Sequence, residues 1–395
     1  MIKLRYFILT LLLILICGSQ SEAKEIKPLF GMYKIIYNEA DDLLTQSWTS
    51  INMNDDAAKL YPKLFKSINE YDRNLHDSAI KRQLKYHEEA QSLKQEMPDN
   101  FRSFYDRNDI IVRRADSVVL SLLEMTEDYM GGVHGMYGYF GVNFDTATGK
   151  RLNISDVCNN AEVLIKAIMT RLHEDSPQSP FEGAEEHITQ QVIEDKLNFT
   201  IDPHGISVYF NPYEIGCYAE GLFMATLLFD EYPDLFKDKY RQLPESYCQT
   251  LTRYDSNIVS FKNGMRNYIQ LHIDDDGYYK VSCDGNIVGD KIGLQGVQPP
   301  ILVHMDNGKN YLYIDGYVEN RGRFLHVYQV GNNSIKLDWI LPYTFKNIGP
   351  LKYETWWLIT NPNDIRFDSN EPLGANEDLT SHFGGINANG SISFG

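Results

Sequence analysis

The chain has 395 residues, a formal net charge of −17, 43% hydrophobic and 23% charged residues, a globular composition that excludes wholesale disorder. At ~100–200 residues per domain there is room for two or three domains, each able to bury its own core. The negative charge opposes nucleic-acid phosphates and anionic lipid, and no block of Lys and Arg offers a local exception, so no nucleic-acid partner is expected.

In chain order, Lys3 and Arg5 precede an apolar run from Phe7 to Ile16, and small residues lead into Ser21-Glu22-Ala23. A basic start, an apolar core of ~7–15 residues and an A-x-A-like site describe a signal peptide over residues 1–23, because a membrane span needs ~20 apolar residues. The alternative is a lipid anchor at Cys17 on a degenerate lipobox, with bulky Ile16 where such signals want a small residue. Both readings place the mature chain outside the cytoplasm, in the periplasm or at the cell surface, with Cys17 as the only membrane attachment. Cleavage leaves Cys158, Cys217, Cys248 and Cys283. No C-x-x-C occurs, so neither a zinc knuckle nor a redox pair is expected; disulfides and buried free thiols both remain open.

Residues 24–128 are expected to form an N-terminal α+β domain. Leu29 to Tyr37 and Ser47 to Met53 suggest a hairpin. Leu60, Leu64, Ile68, Tyr71 and Leu75 then recur at helical spacing from about Ala57, and helical character runs to Glu96 before Pro98. Ile110 to Glu127 returns to strand texture centred on Val118-Val119-Leu120. A second α+β domain is expected over residues 129–246. It opens on the Gly131 to Gly135 break, followed by a strand from Tyr137 to Phe144 and a turn over residues 145–150 into Arg151 to Ile154. Helices at Ala161 to Glu174 and Glu185 to Asn198 come next. Phe199 to Ile201 and Ile206 to Phe210 flank Asp202-Pro203-His204-Gly205, a hairpin signal. A strand over Ala219 to Phe229 precedes a polar stretch from Tyr232 to Pro244. From Thr250 helical periodicity stops and short Tyr-rich runs alternate with turns, so residues 250–395 read as a β-rich C-terminal domain. The fold class expected is α+β, with antiparallel sheets and a few helices in the N-terminal two-thirds and an all-β C-terminal part.

Two groups of motifs carry a resemblance. Gly131-Gly132-Val133-His134-Gly135, Asn143-Phe144-Asp145 and Thr148-Gly149-Lys150-Arg151-Leu152 through Asp156-Val157 form the first. Gly205 to Ile215, which contains Phe210-Asn211-Pro212-Tyr213-Glu214-Ile215, and Tyr218-Ala219-Glu220-Gly221 form the second. In order and spacing they resemble the paired extracytoplasmic domains of RsiV-type anti-sigma factors and PdaC-type peptidoglycan deacetylases, over roughly residues 50 to 235. The resemblance implies a small α+β unit that binds rather than catalyses: a lysozyme receptor in the first group, an accessory region in the second. Only six residues precede the apolar run, so no cytoplasmic segment for a sigma factor is expected, and the deacetylase metal motif of one Asp and two His is missing.

His134, in a Gly-rich turn, is the one candidate for a general base or metal ligand. The competing reading, a tight turn whose imidazole bonds a neighbouring loop, is the expectation. No H-E-x-x-H, nucleophile elbow or Walker loop occurs, and Gly293-Leu294-Gln295-Gly296 is too short to cradle a phosphate. Asp274-Asp275-Asp276-Gly277 resembles part of a calcium loop but lacks its first and last acidic ligands, and reads as a β-turn. The adjacent Glu185-Glu186 pair reads as solvated rather than as a glycosidase dyad. Trp356-Trp357 could stack on sugars, but adjacent strand residues face opposite ways, so only one would be exposed.

The preferred recognition surface is Pro212, Tyr213 and Glu214, since proline fixes the turn and a displayed tyrosine offers contact area at small entropic cost. The sequence thus points to an exported, non-catalytic binding protein of the bacterial envelope with no cofactor and no metal. Its expected partner is an extracytoplasmic, lysozyme-like protein or a cell-wall glycan. The alternative is an envelope hydrolase using His134 and nearby carboxylates.

Overall fold

Asn54 begins the helical part of the chain by accepting the Ala57 amide at 3.0 Å, which caps α1 (Asp55–Leu60). Pro62 sits at the first turn of the 35-residue α2 (Pro62–Glu96), where its missing N–H costs nothing. In the computed structural model the described residues are 25–252, 257–260, 266–273, 279–283, 286–287, 298–318, 322–331, 334–343, 353–369, 380–386 and 392–394. The expected signal peptide with Cys17, the expected turn at Asp274 to Gly277, and Gly293 to Gly296 lie outside them.

The two helices bridge β1 (Met32–Ala40) and β2 (Leu44–Met53), an antiparallel hairpin, to β3 (Phe104–Ala115), which pairs parallel with β2. A parallel pair needs a long crossover, and α1 and α2 supply it. β4 (Val119–Tyr129) and β5 (Met136–Asp145) complete a six-stranded sheet in the order 353–357, β1, β2, β3, β4, β5. That sheet draws on all three stretches expected as domains. Ala57, Leu64 and Ile68 pack on Ile51, Ile110, Val112, Leu120 and Leu122; full burial of such side chains contributes about 1.5–3 kcal/mol each.

The strand texture expected across residues 110–127 is two strands, not one. Asp116 accepts the amides of Val118 at 2.8 Å and Val119 at 3.0 Å, so the presumed strand centre is a hairpin turn. The expected strand at Arg151 to Ile154 shrinks to one bridge from Arg151 to Phe144, because Asn153 caps α3 (Ile154–Val157). α4 (Ala161–Asp175) and α5 (Ala184–Ile193) then cover a three-stranded sheet of β6 (Phe199–Ile201), β7 (Gly205–Phe210) and β8 (Phe223–Leu228). Leu164, Ile168, Leu172 and Ile188 meet Ile201, Ile206, Val208 and Leu227 there.

After the short α6 (Asp238–Arg241), the regular elements among the described residues are all strands. β9 (Tyr247–Thr250) is the edge of a five-stranded antiparallel sheet, and smaller sheets follow. The molecule is α+β with a β-rich C-terminal part. The strand Tyr353–Trp357 crosses back to β1, placing Trp357 opposite Tyr33 and Trp356 opposite Lys34, hence on opposite faces. Cys158, Cys217, Cys248 and Cys283 are all free thiols.

Candidate functional site

β5 and β6–β8 meet at a seam made by asparagines. Asn211 accepts the Tyr139 amide at 2.7 Å and donates to the Tyr139 carbonyl at 3.2 Å. Asn198 accepts the Gly141 amide at 2.8 Å and also donates to the Tyr139 carbonyl, at 2.7 Å. Each amide side chain therefore stands in for a peptide unit and satisfies an edge strand that would otherwise bury unpaired groups. Asn143 adds a bond to the Phe199 carbonyl at 2.8 Å. A Cβ on Gly141 would lie 1.8 Å from the Phe199 carbonyl oxygen, so only glycine admits this approach.

Above the seam, two loops converge. The first, between β4 and β5, turns through Gly131 and Gly132 at φ of 86° and 96°, and exposes Val133 almost completely, at 99%. The second leaves β7 through Asn211, Pro212, Tyr213 and Glu214, and continues to the short turn Tyr218–Glu220. His134 stacks on Tyr218 with ring centroids 3.7 Å apart and planes 16° apart. The Gly135 carbonyl joins the loops, accepting the Tyr218 hydroxyl at 2.6 Å and lying 2.9 Å from His134 Nδ1. Tyr137 meets Tyr218 edge-on at 6.1 Å, and Tyr213 lies 5.8 Å from Tyr218 on another side.

The structure thus brings together His134, Pro212, Tyr213 and Glu214. Pro212 is buried. Tyr213 is 59% exposed and adopts φ of 75°, a left-handed conformation that is an outlier for a bulky residue. Glu214 turns back to accept the Asn211 amide at 2.9 Å, which closes the loop while leaving the side chain exposed. The Cys217 amide, donating at 2.8 Å, holds the exposed Glu220 carboxyl below its ordinary range. Around this cluster Tyr105 donates to Glu127 at 3.1 Å, and Arg107 covers the Tyr105 ring. His134 touches a carbonyl and an aromatic face; no described contact joins it to a carboxylate. Among the described residues, no three His, Cys, Asp or Glu side chains group in a way that could hold a metal.

Sequence reasoning missed Asn198, Tyr218 and Tyr137 as site builders. Asn198 directly precedes a predicted strand, and Tyr218 lies in a quoted motif, but neither position shows where the second loop lands. It also missed a pair of buried ion pairs at the other end of the sheet. A register shift between Val112 and Arg114 lets two consecutive arginines turn inward. Arg113 grips Asp202 with two bonds of 3.0 and 2.9 Å and donates to the Thr250 carbonyl at 3.0 Å. Arg114 pairs with Asp116 at 2.7 Å and reaches the Tyr240 and Gln242 carbonyls.

Residues 154–230 match the sequence profile of DUF3298, a family described as proteins of unknown function. That stretch contains Pro212, Tyr213, Glu214 and Tyr218 but not His134. No protein with a curated description matches the chain. Among solved structures, a DUF3298 family member from Bacteroides fragilis is similar at 19% identity and a TM-score of 0.41, over 54% of this chain and 96% of that one. A DUF3298 family protein from Pseudomonas aeruginosa is similar at 14% identity and a TM-score of 0.33, over 55% of this chain and 95% of that one.

Proposed function

We propose that this is an exported, non-catalytic docking protein of the bacterial cell envelope, whose two converging loops recognise a basic, lysozyme-like protein. The observation that carries this reading is Tyr213, held exposed at φ of 75° beside the His134–Tyr218 stack. Backbone strain of ~1–3 kcal/mol persists where surrounding structure enforces it, and it concentrates at binding and switch regions. A tyrosine presented this way is pre-organised as an anchor. Exposed Glu127, Glu214 and Glu220 lie around or within the same loops, and the net charge of −17 favours approach of a cationic partner. The signal-peptide pattern and the RsiV-like and PdaC-like motifs support the envelope location and the receptor role. His134 serves as part of the contact surface, not as a base.

The test is binding of the full chain to immobilised basic lysozyme, with an acidic protein of similar size as control. Saturable binding is expected that weakens as salt rises and falls about thirtyfold in Tyr213→Ala or Tyr218→Ala, the loss of a hot-spot aromatic. Absence of binding, or parent-like affinity in both variants, overturns the reading. Peptidoglycan hydrolysis by the full chain that disappears in His134→Ala would favour the hydrolase instead.

A further inference from the structure

The far edge of the six-stranded sheet carries a second aromatic surface. β1 and β5 are four strand spacings apart, ~19 Å, so this surface is separate from the converging loops. α2 lies over β2: Gln46 donates to the Ala79 carbonyl at 3.0 Å, and Asp72 accepts the Ile51 amide at 3.1 Å. Past β2, strand β1 and the strand Tyr353–Trp357 form a shelf at the edge of the sheet. On its floor Tyr33, Ile35 and Tyr37 are half-buried and share one face by strand alternation.

Each end of the shelf holds an aromatic pair. Tyr33 meets Trp357 edge-on at 5.4 Å. Tyr37 stacks on Trp48 at 4.2 Å with planes 10° apart, and His76 of α2 closes on Trp48 edge-on at 5.1 Å. The two pairs are four residues apart along β1, a span of ~13 Å. Burial, then the negative field of Asp55 and Asp72, raises the Tyr33 phenol; burial and Asp72 do the same for Tyr37. Asp72 therefore lies within electrostatic reach of both phenols, and Asp55 of Tyr33.

We propose that this shelf binds a polysaccharide chain that is neutral or bears free amines. The C–H faces of successive sugar rings suit aromatic side chains, and hydroxyl or ammonium groups suit carboxylate acceptors. The ~13 Å length fits an extended chain better than a single compact ligand. The carboxylates of Asp55 and Asp72 repel an anionic chain, which selects among polysaccharides by charge complementarity.

The experiment titrates the full chain with chitotetraose, its fully N-deacetylated counterpart and a tetragalacturonate, read by calorimetry and by tryptophan emission. The neutral and amine-bearing tetramers should bind and shift the emission, and the anionic one should not. Trp48→Phe and Tyr33→Leu, both conservative enough to keep the strands, should each weaken binding about tenfold. Asp72→Asn should weaken the amine-bearing tetramer more than the neutral one. Tyr213→Ala should bind all three as the parent does, which separates this site from the protein-docking loops. Binding of none of the tetramers, equal binding of the anionic one, or parent-like affinity in both aromatic variants overturns the proposal.

Discussion

The seam between the six-stranded sheet and the segment that follows β5 is held by opposite chemistries at its two ends. Near the β3–β4 turn it is ionic and buried: Arg113 with Asp202, reinforced by Ser207 donating to Asp202 at 2.7 Å and Thr200 at 3.1 Å. Near the β4–β5 loop it is neutral, built from Asn198 and Asn211, and it ends in exposed aromatics. A buried ion pair is intolerant of change because each charge depends on its partner. An amide clasp leaves only neutral groups stranded when it is lost, at a smaller cost. The rigid end fixes the two layers, and the softer end carries the strained, exposed tyrosine.

The largest expected effect comes from breaking the ionic end. Arg113→Ala leaves the Asp202 carboxylate, with only 8% of its side chain exposed, uncompensated, which costs about 3–5 kcal/mol. Thermal unfolding followed by circular dichroism should show a large drop in midpoint. A drop no greater than that of a surface Arg→Ala control would mean that water replaces the guanidinium. At the neutral end, Asn198→Ala strands the Gly141 amide and one bond to the Tyr139 carbonyl, with an expected cost of about 1–3 kcal/mol. Asn211→Ala should cost a similar amount and, unlike Asn198→Ala, should open the Pro212–Tyr213 loop to limited proteolysis. Equal protease resistance in the two variants would mean that the loop does not depend on the clasp.

The inner face of the same sheet gives a contrast in pH response. Burial under α2 raises the Glu124 carboxyl despite bonds from Tyr71 and Asn108, and burial followed by repulsion from Asp106 raises Asp128. A carboxyl with a raised folded-state pKa takes up a proton on folding. Its contribution therefore improves as pH falls through the folded pKa toward the unfolded value, and the penalty is complete above the folded pKa. Glu124→Gln should thus flatten the pH dependence of the midpoint between neutral and mildly acidic conditions. Asn108 Oδ1, buried with no partner, gains a donor if its amide turns over toward the new side chain. An unchanged pH profile would show that water reaches Glu124.

Much of this arrangement is legible in the sequence where the pattern is local. Helical spacing from Leu60 to Leu75 gives α2, Pro98 marks its end, and Asp202-Pro203-His204-Gly205 gives the β6–β7 hairpin. The β3–β4 turn is hidden because Val118 and Val119 look like strand and a single Asp116 makes the turn. Likewise the convergence of His134 with Tyr218, 84 positions apart, depends on how two sheets meet, and no local spacing encodes that. Arg113-Arg114 carried a usable signal: alternation along a strand cannot place two adjacent arginines in water on one exposed face. The bulge that buries both is a tertiary event.

The smallest expected effect tests the soft end most directly, because its sign is opposite to the others. If Tyr213 is held at φ of 75° by its surroundings, then Tyr213→Gly removes a steric penalty of ~1–2 kcal/mol and returns part of it as lost chain entropy. The variant should unfold at a slightly higher temperature than the parent while losing its protein partner. Tyr213→Ala keeps the Cβ and the strain, so it should lose the partner without gaining stability. A stabilised Gly variant beside an unstabilised Ala variant assigns the cost to the backbone and the recognition to the ring. If both variants lose stability equally, the tyrosine ring is holding the loop together through Tyr218, and the exposed anchor is a structural member of the stack.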